Sequence, residues 1–90
     1  MKVFDWNENK NDWLKNTRDI SFEEIIQSID DGDLLDVVVN PDIKNYPFQK
    51  VLIVWIKNYV YLVPFIELKD KYFLKTAYPS RKAMKKYGRK

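Results

Sequence analysis

The chain has 90 residues, a formal net charge of +3, and neither cysteine nor histidine. This composition excludes disulfides and thiolate metal sites, and it removes the side chain that most often exchanges protons at neutral pH. Hydrophobic residues make up 46% of the chain, which predicts one domain with a packed core. The longest apolar run, 51–56, is too short to cross a membrane, and we expect a cytoplasmic protein without a signal peptide or membrane contact.

Positive and negative charges are distributed unevenly along the chain. The first 36 residues carry four cations and ten acids, whereas the rest carry twelve cations and three acids. The C-terminal segment 80–90 contains no acid, and it suits phosphate groups or an acidic partner. Its six cations are Arg81, Lys82, Lys85, Lys86, Arg89 and Lys90.

The N-terminal part predicts one strand and two helices. Residues 2–6 are expected to form a short edge strand, and a helix capped by Asp5 or Asn7 should then extend to about Asn16. Its apolar side is expected to include Trp13, and the three tryptophans are expected in the core. The S-x-x-E pattern at Ser21 predicts a second helix over 21–31, because these two residue types can satisfy the first helical turn.

The remaining sequence predicts strands over 34–39, 49–56, 59–66 and 72–78, and a short helix that begins at Pro79-Ser80. We expect a turn at Lys69-Asp70 between the last two of these strands. The predicted order is βααββββα. It indicates an α+β fold in which the helices pack on one face of an antiparallel sheet.

The two-residue turn Lys57-Asn58 predicts the register of the central hairpin, with Ile56 opposite Tyr59. Paired residues share a face, so the hairpin has two distinct faces. The aliphatic face is expected to pack against the helices and to include Val51, Ile53, Trp55, Val60, Leu62 and Leu74. The opposite face is expected to stay open and to include Lys50, Leu52, Val54, Ile56, Tyr59, Tyr61, Val63, Phe65, Phe73, Lys75 and Ala77.

This second face combines aromatic rings with ammonium groups. Single-stranded RNA needs such a combination, because bases stack on aromatic rings while cations contact phosphates. The alternative is that the tyrosines lie at the edge of a core and the lysines are ordinary surface charges. Strand parity alone leaves both interpretations open.

Three segments together resemble the BrnT-like toxins. Residues 4–11, FDWNENKN, resemble the family opening F-x-W-D-x-x-K-x-x-x-N, and residues 20–24, ISFEE, are similar to its helix start G-I-x-F-E-x-A. Residues 79–87, PSRKAMKKY, are similar to its closing I-S-A-R-x-A-x-x-x-E-x-x-Y. Where the family usually has K-H-G, this chain has Thr17-Arg18-Asp19.

The family belongs to the RelE/ParE group of type II toxin–antitoxin systems. The resemblance therefore implies a RelE/ParE-like fold and a small cytoplasmic endoribonuclease that cleaves mRNA, either free or ribosome-bound, and so blocks translation. It also implies a small cognate antitoxin, often of the ribbon-helix-helix type, as the partner that silences the toxin.

The implied reaction is attack of a ribose 2′-OH on the adjacent phosphate. Without histidine, Arg81 would stabilise the phosphorane charge, and Lys75 or Lys50 would act as the base, since neighbouring cations lower a lysine pKa. The three cations are expected to converge, and neither metal nor another cofactor is expected. The expected RNA-binding residues are Tyr59, Tyr61, Lys82, Lys85 and Tyr87. The alternative is a non-catalytic RelE/ParE-fold protein whose basic face docks an antitoxin or another protein.

Overall fold

A computed structural model describes residues 3–88 of the protein, and this part of the chain forms three helices and six strands in an α+β arrangement. Lys2 of the predicted first strand and the cations Arg89 and Lys90 lie outside the described residues. In chain order the elements are β1 (Val3–Trp6), α1 (Glu8–Arg18), α2 (Phe22–Asp30), β2 (Leu34–Val39), β3 (Gln49–Ile56), β4 (Tyr59–Glu67), β5 (Lys71–Leu74), β6 (Tyr78–Pro79) and α3 (Arg81–Tyr87).

Side-chain caps start both N-terminal helices, as predicted. The side chain of Asn7 accepts a hydrogen bond of 3.1 Å from the backbone N–H of Lys10 at the start of α1. The hydroxyl of Ser21 accepts a bond of the same length from the backbone N–H of Glu24 at the start of α2. These bonds satisfy N–H groups that have no partner within a helix, and they fix where each helix begins.

The sheet is mixed, with the strand order β1-β5-β4-β3-β2 and with β6 pairing to β4. β1 runs parallel to β5, whereas the other strand pairs are antiparallel. The prediction of a wholly antiparallel sheet is therefore wrong at β1, where no hairpin dictates the strand direction. The predicted strand 72–78 is also divided, because residues 75–77 separate β5 from β6.

The central hairpin has the predicted register. Ile56 lies opposite Tyr59, and the pairing continues in order to Lys50 opposite Phe65. The turn residues Lys57 and Asn58 have φ values of 51° and 64°, a left-handed conformation that matches the twist of a two-residue hairpin.

Helices α1 and α2 pack on the face of the hairpin that was expected to be open. We call this the α1/α2 face. Leu14, Phe22 and Ile25 from the helices are fully buried against it. The predicted helix-packing face is therefore wrong, and Leu74 and Ala77 both belong to this cluster rather than to opposite faces. The hairpin residues of the α1/α2 face are Leu52, Val54, Ile56, Tyr61, Val63 and Phe65.

Helix α3 covers part of the opposite face, so the prediction that all helices share one face is also wrong. Ala83 packs there against Ile53 and Val60, and Met84 and Tyr87 extend the contact. Both faces of β3 and β4 are apolar, and each therefore needs a cover. We call this second surface the α3 face. Its hairpin residues in this cluster are Ile53, Trp55, Val60 and Leu62.

Two residues of α1 have environments that the sequence did not predict. Trp13 is 41% exposed rather than buried, and the ammonium of Lys10 and the guanidinium of Arg18 lie 4.0 Å and 4.7 Å from its ring. Asn11 is fully buried; its amide oxygen accepts a 2.8 Å bond from the backbone N–H of Phe22. Asn11 therefore joins α1 to the start of α2.

No helix over residues 3–88 is long and apolar enough to span a membrane.

Candidate functional site

Helix α3 displays four exposed cations on the surface of the domain. It begins after Ser80, whose hydroxyl accepts a 3.1 Å bond from the backbone N–H of Ala83, and Ala83 is the buried anchor of the helix. Residues four apart share one side of a helix. One side therefore carries the pair Arg81 and Lys85, and the neighbouring side carries Lys82 and Lys86.

Arg81 meets the two predicted RNA-binding tyrosines of β4 in one shallow depression of about 340 Å³. Strand β6 causes this meeting, because Pro79 pairs with Tyr61 and the chain then turns directly into α3. Tyr59 and Tyr61 are half-buried, and Arg81 is exposed. We call this surface, formed by Tyr59, Tyr61, Pro79 and Arg81, the tyrosine–arginine depression.

The predicted catalytic lysines do not line this depression. Lys50 lies opposite Phe65, four residues along β4 from Tyr61 and six from Tyr59, which corresponds to about 13 Å and about 20 Å of strand. Its ammonium makes an ion pair of 3.1 Å with Glu67. The predicted convergence of Lys50 with Arg81 is therefore wrong.

Lys75 lies apart from both Lys50 and the tyrosine–arginine depression. It follows the last residue of β5, and its ammonium lies 5.5 Å from the ring centroid of Phe73. Phe73 pairs with Ile66, whereas Leu74 pairs with Phe65 on the α1/α2 face. Successive strand residues point to opposite faces, so Phe73 lies on the face opposite the tyrosines. The prediction that Phe73 shares their face is therefore wrong. Lys75, Lys50 and Arg81 thus occupy three separate places.

Lys82 and Tyr87 line a second concavity, which lies over the α3 face between α3 and the end of β2. We call it the α3 groove, and its volume is about 400 Å³. Its apolar residues include Val51, Ile53 and Leu62, and Lys82 and Lys86 line its α3 side. Lys85 lines neither this groove nor the tyrosine–arginine depression.

The hydroxyl of Tyr87 is already engaged within the protein. It donates a hydrogen bond of 2.8 Å to Asp36 of β2. This bond and a second one from the backbone N–H of Val37 hold the pKa of the Asp36 carboxyl below its ordinary value. Tyr87 therefore links α3 to β2.

Arg18 makes a contact that the sequence did not predict. Its guanidinium donates a 2.8 Å hydrogen bond to the backbone carbonyl of Ala77, in the segment that connects β5 to β6. This contact holds the segment that leads to Arg81. The contact joins residues 59 positions apart in the chain, and no local pattern in the sequence points to it.

Among residues 3–88, no group of three or more acidic side chains is arranged to hold a metal ion. Comparisons of the chain with models of known protein families, with curated proteins and with solved structures give no match.

Proposed function

We propose that the protein is the toxin component of a type II toxin–antitoxin system and that it acts by binding RNA at the tyrosine–arginine depression. The observation that carries the proposal is the meeting of Arg81 with Tyr59 and Tyr61. A guanidinium can make paired hydrogen bonds to a phosphate, and an adjacent phenol ring can stack on a base. Lys85, one turn after Arg81 on the same side of α3, adds a second phosphate contact.

Cleavage of the bound RNA would use the 2′-OH of the substrate as the nucleophile. Arg81 would stabilise the charge of the phosphorane, and the proton of the 2′-OH would pass to solvent water. The hydroxyl of Tyr59 or Tyr61 would protonate the leaving 5′-oxygen and regain its proton from solvent. The lysine base of this reaction has no counterpart among the residues that line the depression. The geometry therefore supports RNA binding better than cleavage, and a non-catalytic binding protein is the second candidate.

The test measures binding and cleavage separately. Wild-type protein and the Arg81→Ala variant are titrated into labelled single-stranded RNA, with Lys69→Ala as a control that removes an exposed cation from a distant turn. We expect Arg81→Ala to weaken binding about tenfold and Lys69→Ala to change it little. Tyr59→Leu, which keeps an apolar side chain but removes the ring, should weaken binding by a similar factor.

The same proteins are then expressed in bacteria, and growth and labelled-methionine incorporation are followed. Arrest by wild type and by Lys69→Ala, but not by Arg81→Ala, would support the toxin. RNA incubated with wild-type protein and EDTA should yield 2′,3′-cyclic or 3′-phosphate ends if the protein is a nuclease. Intact RNA with retained binding would favour the non-catalytic candidate, and equal RNA affinity of all variants would contradict the proposal.

A further inference from the structure

We propose that the α3 groove binds an acidic, amphipathic peptide segment of a partner protein. The inference deepens the proposed function and rests on it for the source of this segment, which would be the antitoxin. The groove itself is formed by residues that the RNA-binding proposal does not use. The two surfaces can therefore be tested independently.

The floor of the groove favours aliphatic side chains. Val51 and Ile53 of β3 line it with Leu62 of β4, and Ala83 closes it on the α3 side. Removing such surface from water favours association with a partner of the same polarity. Tyr78 and Tyr87 also line the groove. However, Val51, Ile53 and Leu62 of the floor offer no ring on which a base can stack, so the floor itself suits the apolar side chains of a peptide.

The rim of the groove selects the charge of the partner. Lys82 and Lys86 lie one helical turn apart, which places their Cβ atoms about 6 Å from each other. Both side chains are exposed, and neither makes an ion pair within residues 3–88. Carboxylates of a partner can pair with both ammonium groups while neighbouring apolar side chains enter the groove.

Acidic groups of the protein itself do not block this arrangement. Asp36 is the carboxylate that interacts with Lys86, and it also accepts the hydrogen bond from Tyr87. The hydrogen bond keeps the Asp36 carboxylate beside the hydroxyl of Tyr87. Lys82 has no carboxylate partner among the described ion pairs. The rim consequently keeps a net positive charge next to an apolar floor.

The first experiment tests the chemistry of the occupant with synthetic fluorescein-labelled peptides and fluorescence anisotropy. The probe is a peptide of alternating Glu and Leu, and the controls are a Gln–Leu peptide of equal length and a Glu–Ser peptide of equal charge. We expect the Glu–Leu peptide to bind at least about tenfold more tightly than either control. Equal binding of the Glu–Leu and Glu–Ser peptides would overturn the role of the apolar floor.

The second experiment tests the location with two double variants of identical net charge. Lys82→Glu with Lys86→Glu reverses the rim, whereas Lys44→Glu with Lys69→Glu reverses two exposed cations that do not line the groove. We expect the first pair to lower the affinity for the Glu–Leu peptide at least about tenfold and the second to change it less than about twofold. Equal losses in both double variants would show attraction by net charge alone and overturn the proposal.

RNA binding separates this proposal from the proposed function. Reversal of the rim should leave binding of single-stranded RNA within about threefold of the value for the Lys44/Lys69 double variant, because only long-range charge changes. A larger loss of RNA affinity with unchanged peptide binding would assign the groove to RNA and overturn the inference. Loss of peptide binding in a protein whose RNA affinity is insensitive to Arg81→Ala would uphold the groove and reject the RNA site.

Discussion

The two faces of the central hairpin are equally apolar in sequence but are covered to different extents. On the α1/α2 face, eleven buried residues form one cluster, and on the α3 face only three do. The short helix α3 leaves an open groove beside it, whereas Leu14, Phe22 and Ile25 of α1 and α2 are fully buried on the opposite face. We infer that the α1/α2 face supplies most of the stability, whereas the α3 face leaves room for a partner beside its short helix.

The largest expected effect comes from three leucines at different depths. Leu14 is fully buried on the α1/α2 face, Leu62 is half-buried on the α3 face, and Leu68 is 42% exposed in a turn. Replacement by alanine should lower the free energy of unfolding by about 3–4 kcal/mol at Leu14, about 1 kcal/mol at Leu62 and less than about 0.5 kcal/mol at Leu68. Urea denaturation followed by circular dichroism gives these values, and equal losses at Leu14 and Leu62 would contradict the comparison.

The next effect concerns the buried amide that joins the two helices of the α1/α2 face. Asn11 accepts from the backbone N–H of Phe22, and it donates a 2.7 Å bond to Glu23. Asn11→Ala would leave a buried N–H without a partner, so we expect a loss of about 2–3 kcal/mol in the free energy of unfolding. Asn16→Ala, at an exposed position of the same helix, is the control and should cost less than about 0.5 kcal/mol. Equal losses in the two variants would mean that the buried amide adds little.

A smaller effect is expected at Arg18, which connects α1 to the segment before β6. Arg18→Gln should remove the hydrogen bond to the carbonyl of Ala77 and lower the free energy of unfolding by about 1 kcal/mol. It should also weaken RNA binding, because that segment positions Arg81. The control is Lys15→Gln, an exposed charge on α1. Unchanged RNA affinity in a destabilised Arg18→Gln protein would limit Arg18 to a structural role.

The sequence was sufficient to predict the helices, their caps and the hairpin register, because these depend on local patterns. The turn Lys57-Asn58 alone sets every pair from Ile56–Tyr59 to Lys50–Phe65. Which face the helices cover is a non-local choice, and two apolar faces offered no contrast from which to predict it. The direction of β1 could not be predicted from local patterns either, since β1 pairs with β5, a strand far along the chain.

The error at Leu74 had a signal that was available in the sequence. The predicted turn Lys69-Asp70 places Phe65 opposite Leu74, and this is the observed pair. Grouping Leu74 by its aliphatic character rather than by this register put it on the wrong face and brought Lys75 to the tyrosines. Strand β6 brings Arg81 beside Tyr59 and Tyr61. It has only two residues, and so short a strand produces no periodic pattern from which it could be predicted.

The smallest expected effect tests the link between α3 and β2 through its pH dependence. The hydrogen bond from Tyr87 lowers the pKa of Asp36 in the folded protein, so the ionised carboxylate stabilises the fold above its unfolded pKa of about 3.9. This contribution is lost as the pH falls through the lowered pKa. Tyr87→Phe should therefore reduce the melting temperature by a few degrees at neutral pH, and the difference from wild type should shrink below about pH 4.

Tyr46→Phe, at an exposed loop position, should leave the melting temperature unchanged at every pH. A difference between Tyr87→Phe and wild type that persists undiminished in acid would show that the hydroxyl acts through packing of α3 rather than through the charge of Asp36.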